Sequence, residues 1–167
     1  MRRIAYDNNL VGRIALDFGC GDQKHQRPNN NVRMDAVDFG QEIVADVLTT
    51  GIPLPDNSCV SITASHVMEH MPWGLPLIDV FNECWRVLKP TGVLYVIVPG
   101  RSNPCVNIPV HTSQFDEHTF RFFDGEHDQS TSDDTVRRSY QDVRLWKIHE
   151  LVTNQRGDIH CHMSPKK

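Results

Sequence analysis

The chain has 167 residues, 39% of them hydrophobic and 23% charged, a balance that suits one globular domain with a core of its own. Its formal net charge of -4 excludes the strongly basic surface that sequence-independent nucleic-acid binding needs. The longest apolar run, residues 93–98, is too short to span a bilayer, and Met1-Arg2-Arg3 leads into no apolar stretch, so neither membrane insertion nor a secretory leader is expected, and the location expected is cytoplasmic.

Five cysteines, Cys20, Cys59, Cys84, Cys105 and Cys161, are odd in number and widely spaced, with no CxxC pair. Neither a disulfide framework nor a zinc knuckle follows, and reduced thiols are expected.

In chain order, the apolar run 13–17 stops at Gly19 and Gly21 and reads as a buried strand. Residues 32–37 read as a second strand and 42–46 as a short third. Pro53, Pro55, Asp56 and Asn57 mark a turn-rich loop. The β-branched stretch 60–65 predicts a fourth strand. Leu77, Val80, Phe81, Cys84, Trp85 and Leu88 recur at three- and four-residue spacing and predict a helix over 75–88, ended by Lys89-Pro90-Thr91-Gly92. Residues 93–98 form a fifth strand, whose unbroken apolar character predicts cover on both faces. Asp116 can cap a short helix through Phe123, and the polar stretch 124–138 reads as a mobile loop. Residues 143–152 and 157–163 close the chain as a hairpin. Strands alternating with crossovers, then a hairpin, imply a mainly parallel sheet with an antiparallel edge.

The strongest local signal is Leu16-Asp17-Phe18-Gly19-Cys20-Gly21-Asp22, directly after a strand. Glycines there allow a sharp turn and let a ligand lie against the backbone, although any tight strand-to-helix turn can use them. Asp17, Asp35 and Asp46 stand at the ends of three successive strands. In a parallel sheet those ends line one edge, where an acid can accept a ribose diol or an adenine amino group.

With Val44-Ala45-Asp46-Val47, Ile52-Pro53-Leu54-Pro55-Asp56-Asn57-Ser58, Ala64-Ser65-His66-Val67-Met68-Glu69-His70 and Glu83-Cys84-Trp85-Arg86-Val87-Leu88-Lys89-Pro90-Thr91-Gly92, these motifs resemble the class I S-adenosylmethionine-dependent methyltransferase superfamily, in particular its type 11 group. The likeness runs in order through residues 13–99, and the tail resembles the closing hairpin of that family. It implies an α/β fold in one domain, 1–167: a Rossmann-like, mainly parallel seven-stranded sheet with helices on both faces and a C-terminal antiparallel hairpin. By the same resemblance Gly19, Cys20 and Gly21 lie along the methionine part of S-adenosyl-L-methionine, with Asp17 holding the loop or meeting the cofactor's amino group. Asp35, or Asp38 if the register slips, takes the ribose hydroxyls. Asp46 and Val47 read the adenine, and Ser65 and His66 border the methyl group. Three departures stand out: Gln23 replaces the usual third glycine, Val60 replaces a frequent aspartate, and the connection from Gly21 to Val32 leaves the first crossover helix shortened or absent.

His111 and His118, after the fifth strand, are the candidate base or substrate-side residues. Phe115, Phe120, Phe122 and Phe123 are read either as an aromatic lid or as a core face, and Trp73 as an entrance residue or as packing. His66 and His70 have metal-ligand spacing if helical, but no HExxH pattern exists, and no metal site is expected there or at His160 and His162. Arg137-Arg138 and Lys166-Lys167 read as solvated surface, and Cys20 as an apolar filler rather than a nucleophile. The implied activity is methyl transfer to a small molecule or a glycan- or lipid-linked metabolite, the acceptor itself being unspecified. Two rivals remain: a nicotinamide-dependent oxidoreductase, disfavoured because Lys24 stands where GxGxxG needs its third glycine, and a non-catalytic relative that kept the fold.

Overall fold

Five consecutive buried residues make the strand Ile14–Phe18 (β2) the spine of a sheet whose two flanks grow from it in opposite directions. The computed structural model describes residues 3–4, 7–22, 31–124 and 142–167. The other strands are Arg3–Ile4 (β1), Val32–Asp35 (β3), Ile43–Val44 (β4), Cys59–Ser65 (β5), Leu88–Pro99 (β6), Trp146–Thr153 (β7) and Asp158–Pro165 (β8). Their order across the sheet is β1-β4-β3-β2-β5-β6-β8-β7. Strands β4, β3, β2, β5 and β6 run parallel, β6, β8 and β7 antiparallel, and β1 pairs antiparallel with β4. The seven expected strands are all present, and Arg3–Ile4 adds a two-residue eighth at the edge, too short to leave a hydrophobic period in the sequence.

Helix Leu75–Val87 (α2) packs Leu77, Val80, Phe81, Cys84 and Val87 into the core. Under it lie alternate residues of three strands: Ile62 and Ala64; Leu94, Val96 and Val98; Ile159, Cys161 and Met163. The short helix Glu117–Arg121 (α3) is capped as its sequence predicts. Thr119 N donates to Asp116 Oδ1 at 2.9 Å, and the Thr119 hydroxyl faces Asp116 N, a reciprocal cap. Phe81 stacks on Phe123 at 4.3 Å and meets Phe120 and Trp146 edge-on, so Phe115, Phe120 and Phe123 are core, while Phe122 is half-buried. A one-turn helix, Val47–Thr50 (α1), follows β4.

Cover on both faces of β6 is not observed among the described residues. Val93, Tyr95 and Ile97 alternate with the buried set and are only half-buried. The reason is chemical as well as geometric: Tyr95 shares its face with His160 and His162, and its hydroxyl lies 2.7 Å from His160 Nδ1. Lys167, expected to be solvated, instead donates to the carbonyls of Arg86 and Leu88 and sits 4.6 Å over the Trp85 ring, capping the end of α2. The expected loop 124–138 lies outside the described residues except for Asp124, as do Arg137-Arg138. The first crossover falls largely on 23–30, also outside them, and its described ends, 19–22 and 31, hold no helix.

Candidate active site at the sheet switch point

Strand order reverses between β2 and β5, so the loops leaving their carboxyl ends diverge and open a crevice. The Gly19-Cys20-Gly21 loop bends sideways over β3. Gly19 N and Cys20 N donate to Met34 O at 2.9 and 3.1 Å, and Gly21 N donates to Asp35 Oδ2 at 2.9 Å. Gly19 and Gly21 both have positive φ, 68° and 60°. A Cβ on Gly19 would lie 2.3 Å from Val67 Cγ2, whereas one on Gly21 would meet nothing within 4 Å. The first glycine thus permits packing against the β5 loop, and the second leaves room in the crevice.

That crevice is a cavity of about 370 Å³. Gly19, Gly21, Asp35, Asp46, Val47 and His66 line it, six of the nine residues expected on the cofactor side. Asp17, Cys20 and Ser65 are not in its wall. Asp17 is buried behind the loop, 3% exposed. The Cys20 thiol is pushed up to about 12, chiefly by burial and then by the charges of Asp35 and Asp17, which keeps it protonated and unreactive. Asp35 accepts from Gly21 N and, through Oδ1, from Val37 N at 3.0 Å. This fixes its carboxylate at the cavity wall. Asp38 is absent from the wall and accepts from Gly40 N in a local turn. Asp46 caps α1, accepting from Leu48 N at 3.0 Å.

Sequence reasoning did not single out Ala36, Val37, Phe39 or Val67, which supply the apolar part of the wall. The available signal was an apolar pair, Val37 and Phe39, in a polar turn after a strand-end acid; both side chains are substantially exposed, at 56% and 41%.

His66 takes φ +54°, left-handed for a residue with a side chain, so it does not share a helical face with His70. Its Nδ1 lies 3.3 Å from Oε1 of Glu69, which is 1% exposed. Glu69 and His70 sit on a 3₁₀ turn, Met68–His70, and the segment carrying His111 is clipped to it: Thr112 N and Ser113 N both donate to Glu69 O, at 2.8 and 3.0 Å. His66, Glu69, His70 and His111 therefore line one cavity of about 770 Å³, which shares His66 and His70 with the smaller crevice. His118 is not brought there. It lines a third cavity, about 680 Å³, with Trp73, Ile78, Arg101, Asp116 and Phe122. His160 Nδ1 meets Tyr95 and its Nε2 accepts from Asn154 Nδ2 at 3.1 Å, so that ring is committed to the sheet.

Burial raises the Cys59, Cys84 and Cys161 thiols as well, and all five cysteines are free. In timed maleimide labelling near neutral pH, read by mass spectrometry, the exposed Cys105 is expected to react first and Cys20 to lag at least about tenfold. Fast labelling of Cys20 would contradict a protonated thiol in the loop.

A glycine turn and strand-end acids at the switch point of a mainly parallel sheet define an α/β domain of the nucleotide-cofactor-binding class. Residues 16–96 match the methyltransferase domain family. A protein named probable S-adenosylmethionine-dependent methyltransferase, from Mycolicibacterium smegmatis, is 30% identical over 114 residues; the match covers 60% of this chain and 42% of that protein. Among solved structures, an S-adenosylmethionine-dependent methyltransferase from Archaeoglobus fulgidus has a TM-score of 0.60 at 13% identity, covering 93% of this chain and 88% of that one. The 1,6-didemethyltoxoflavin-N1-methyltransferase of Burkholderia thailandensis, solved with 1,6-didemethyltoxoflavin and S-adenosylhomocysteine, also gives 0.60, at 12% identity, over 92% of this chain and 71% of that one. The chain is thus similar to methyltransferases in sequence over residues 16–96 and shares the Rossmann-like fold of solved S-adenosylmethionine-dependent methyltransferases. No helix among the described residues is long and apolar enough to cross a membrane.

Proposed function

We propose that this chain is an S-adenosylmethionine-dependent methyltransferase acting on a small-molecule acceptor. The observation that carries the reading is the crevice between β2 and β5, which combines backbone turned by Gly19 and Gly21, an anchored carboxylate at Asp35, and an apolar wall. Its volume of about 370 Å³ falls in the range of small-ligand sites. The residues fit the cofactor by chemistry. Asp35 spends one acceptor position of each oxygen on backbone N–H groups and retains capacity for a ribose diol. Val37 and Phe39 suit the faces of an adenine, with Asp46 and Val47 at its edge, and Gly21 gives the methionine part unobstructed backbone.

When bound, the sulfonium supplies an electrophilic methyl group that transfers as its C–S bond breaks, the electron pair staying on sulfur. The protein's task is then to orient the acceptor and exclude water, which contributes on the order of several kcal/mol. The larger cavity that shares His66 and His70 is the acceptor's approach, and this favours His111 over His118 as a residue beside the acceptor. A small-molecule acceptor is supported by the size of that cavity, about 770 Å³, and by the Burkholderia structure of the same fold, solved with 1,6-didemethyltoxoflavin bound.

Calorimetric titration with S-adenosylmethionine, and separately with NAD, tests the reading. The protein is expected to bind the first and not the second. Asp35→Ala is expected to weaken binding at least about tenfold, near 1.4 kcal/mol. Failure of a folded sample to bind S-adenosylmethionine would remove the reading and leave a non-catalytic member of the fold.

A further inference from the structure

Glu69 presents an unusual arrangement for a buried acid. Its side chain is 1% exposed, its Oε1 faces His66 Nδ1 at 3.3 Å, and its Oε2 has no hydrogen-bond partner in the protein. A buried carboxylate oxygen left unpaired costs several kcal/mol unless another group satisfies it. The neighbouring groups are imidazoles, each of which can offer a ring nitrogen as a metal ligand. Donor atoms of Glu69, His70 and His111 all lie within 4.8 Å of one another. His70 Nδ1 lies 3.2 Å from Val110 O, and since a carbonyl only accepts, that nitrogen carries the proton and Nε2 keeps its lone pair. His111 Nδ1 is buried and likewise has no hydrogen-bond partner. The two rings meet edge-on, with centroids 4.9 Å apart.

We propose that Glu69, His70 and His111 form a binding site for a divalent transition-metal ion of the zinc type. The ligand chemistry fits: two neutral imidazoles and one carboxylate suit a borderline ion, and three protein ligands leave a position open. The surroundings fit as well. The Val110 carbonyl orients His70, His66 braces the second oxygen of Glu69, and the hydrogen bonds from Thr112 and Ser113 to Glu69 O hold the two segments in register. The ion supplies the partner that Glu69 Oε2 otherwise lacks.

The site lies in the wall of the 770 Å³ cavity, so its open position takes an oxygen donor from the acceptor. A hydroxyl held there loses its proton to solvent more readily, the O–H electron pair remaining on the metal-bound oxygen. That use of the ion rests on the methyltransferase reading; the site itself does not. The acceptor class it selects is an alcohol, phenol or diol rather than an amine.

The full chain, stripped with chelator and dialysed, should be titrated with Zn²⁺ by calorimetry and with Co²⁺ by visible absorbance, with Mg²⁺ as comparison. One Zn²⁺ per chain is expected, with a Co²⁺ d–d band and a higher melting temperature in the presence of metal. His70→Ala and His111→Ala are expected to lower affinity at least about a hundredfold each and to abolish the band. Neither change removes a core side chain, so both variants should fold even if Glu69→Gln does not. His162→Ala, on the distant strand β8, should bind as the parent does. Absence of stoichiometric Zn²⁺ binding, or binding insensitive to both His70→Ala and His111→Ala, overturns the proposal. Titration of the same samples with S-adenosylmethionine separates the two readings: cofactor binding without a metal site sinks only the metal proposal, and a metal site without cofactor binding sinks only the transferase.

Discussion

Gly19→Ala is expected to lower the melting temperature by about 5–15 °C and to abolish measurable S-adenosylmethionine binding. Two costs combine. Alanine at φ 68° pays roughly 1–2 kcal/mol for the left-handed conformation. Its Cβ would also sit 2.3 Å from Val67 Cγ2 and 2.5 Å from Val67 Cβ, so the β5 loop must move. Overpacking of this kind adds roughly 1–3 kcal/mol, and a chain of this size loses about 2–4 °C per kcal/mol. The displaced loop carries His66 and Val67 into the crevice, which is why binding falls with stability. Gly21→Ala serves as the contrast. Its Cβ meets no atom within 4 Å, so it should cost only the conformational term in stability while still obstructing the crevice. Val67→Ala in the Gly19→Ala background should recover part of the melting temperature. Thermal melts and calorimetric titration of the three variants check this; a Gly19→Ala protein as stable as Gly21→Ala would show that the contact does not matter.

Arg86→Ala should be about as damaging to the fold, by another route. The guanidinium donates through Nε and Nη2 to both oxygens of Glu83, each at 2.8 Å. It also donates to Leu54 O at 2.9 Å, Ile52 O at 2.7 Å and Asp56 Oδ1 at 2.7 Å. Glu83 Oε2 in turn accepts from Ile52 N at 2.8 Å. One arginine thereby ties α2 to the loop entering β5, and Ile52 and Leu54, its carbonyl partners, are buried. Truncation leaves those carbonyls without this donor and the part-buried Glu83 carboxylate with the Ile52 N–H but no cation, roughly 2–4 kcal/mol in all. Arg86→Lys should not rescue, because an ammonium cannot reproduce the planar two-pronged contact.

The same clamp sets a pH dependence. Burial pushes the Glu83 carboxyl up, but the Arg86 hydrogen bonds and the Ile52 N–H outweigh it and hold the pKa below its ordinary value. Arg33 does the same for Glu42 through its side-chain hydrogen bonds, against an opposing effect of burial. A carboxyl depressed in the folded state binds fewer protons than in the unfolded chain. Its stabilisation is therefore complete above the unfolded value of about 4.3 and is lost as pH falls through the lower folded value. Denaturant melts from neutral pH to about pH 3 should show this loss, with a shallower slope in Glu83→Gln. A parent protein whose stability is flat across that window would refute the clamp's electrostatic part.

The elements were legible where one period or one punctuation mark governed them. The apolar run before Gly19, the 3–4 spacing of Leu77 through Val87, and the Asp116 cap each specify a local conformation with local means. Arg3–Ile4 was not legible, since two residues carry no period and only the edge of β4 recruits them. Cover of β6 was overestimated because an apolar run reports capacity for burial, while neighbouring strands decide which face is filled; Tyr95 turns toward His160. Lys167 looked like any surface lysine until the fold brought the carbonyl end of α2 to it.

The candidate site divides in the same way. Gly19, Gly21, Asp35 and Asp46 were readable because each marks a strand end, and parallel strands place such ends along one edge. The choice of Asp35 over Asp38 at the cavity wall needed coordinates, because it depends on which acid Gly21 N reaches. The meeting of Glu69, His70 and His111 lay beyond sequence reading altogether. Forty-odd residues separate its parts, His66 leaves the helical register at a positive φ, and it is hydrogen bonds between the 69–71 and 110–113 segments that bring the imidazoles together. The sequence by itself determined the strands, the glycine turn and the acids that punctuate it, because those are properties of neighbouring residues. The tertiary structure alone decided which acid faces the crevice, which histidine joins it and which buried oxygen is left to be satisfied, because those are properties of distance across the sheet.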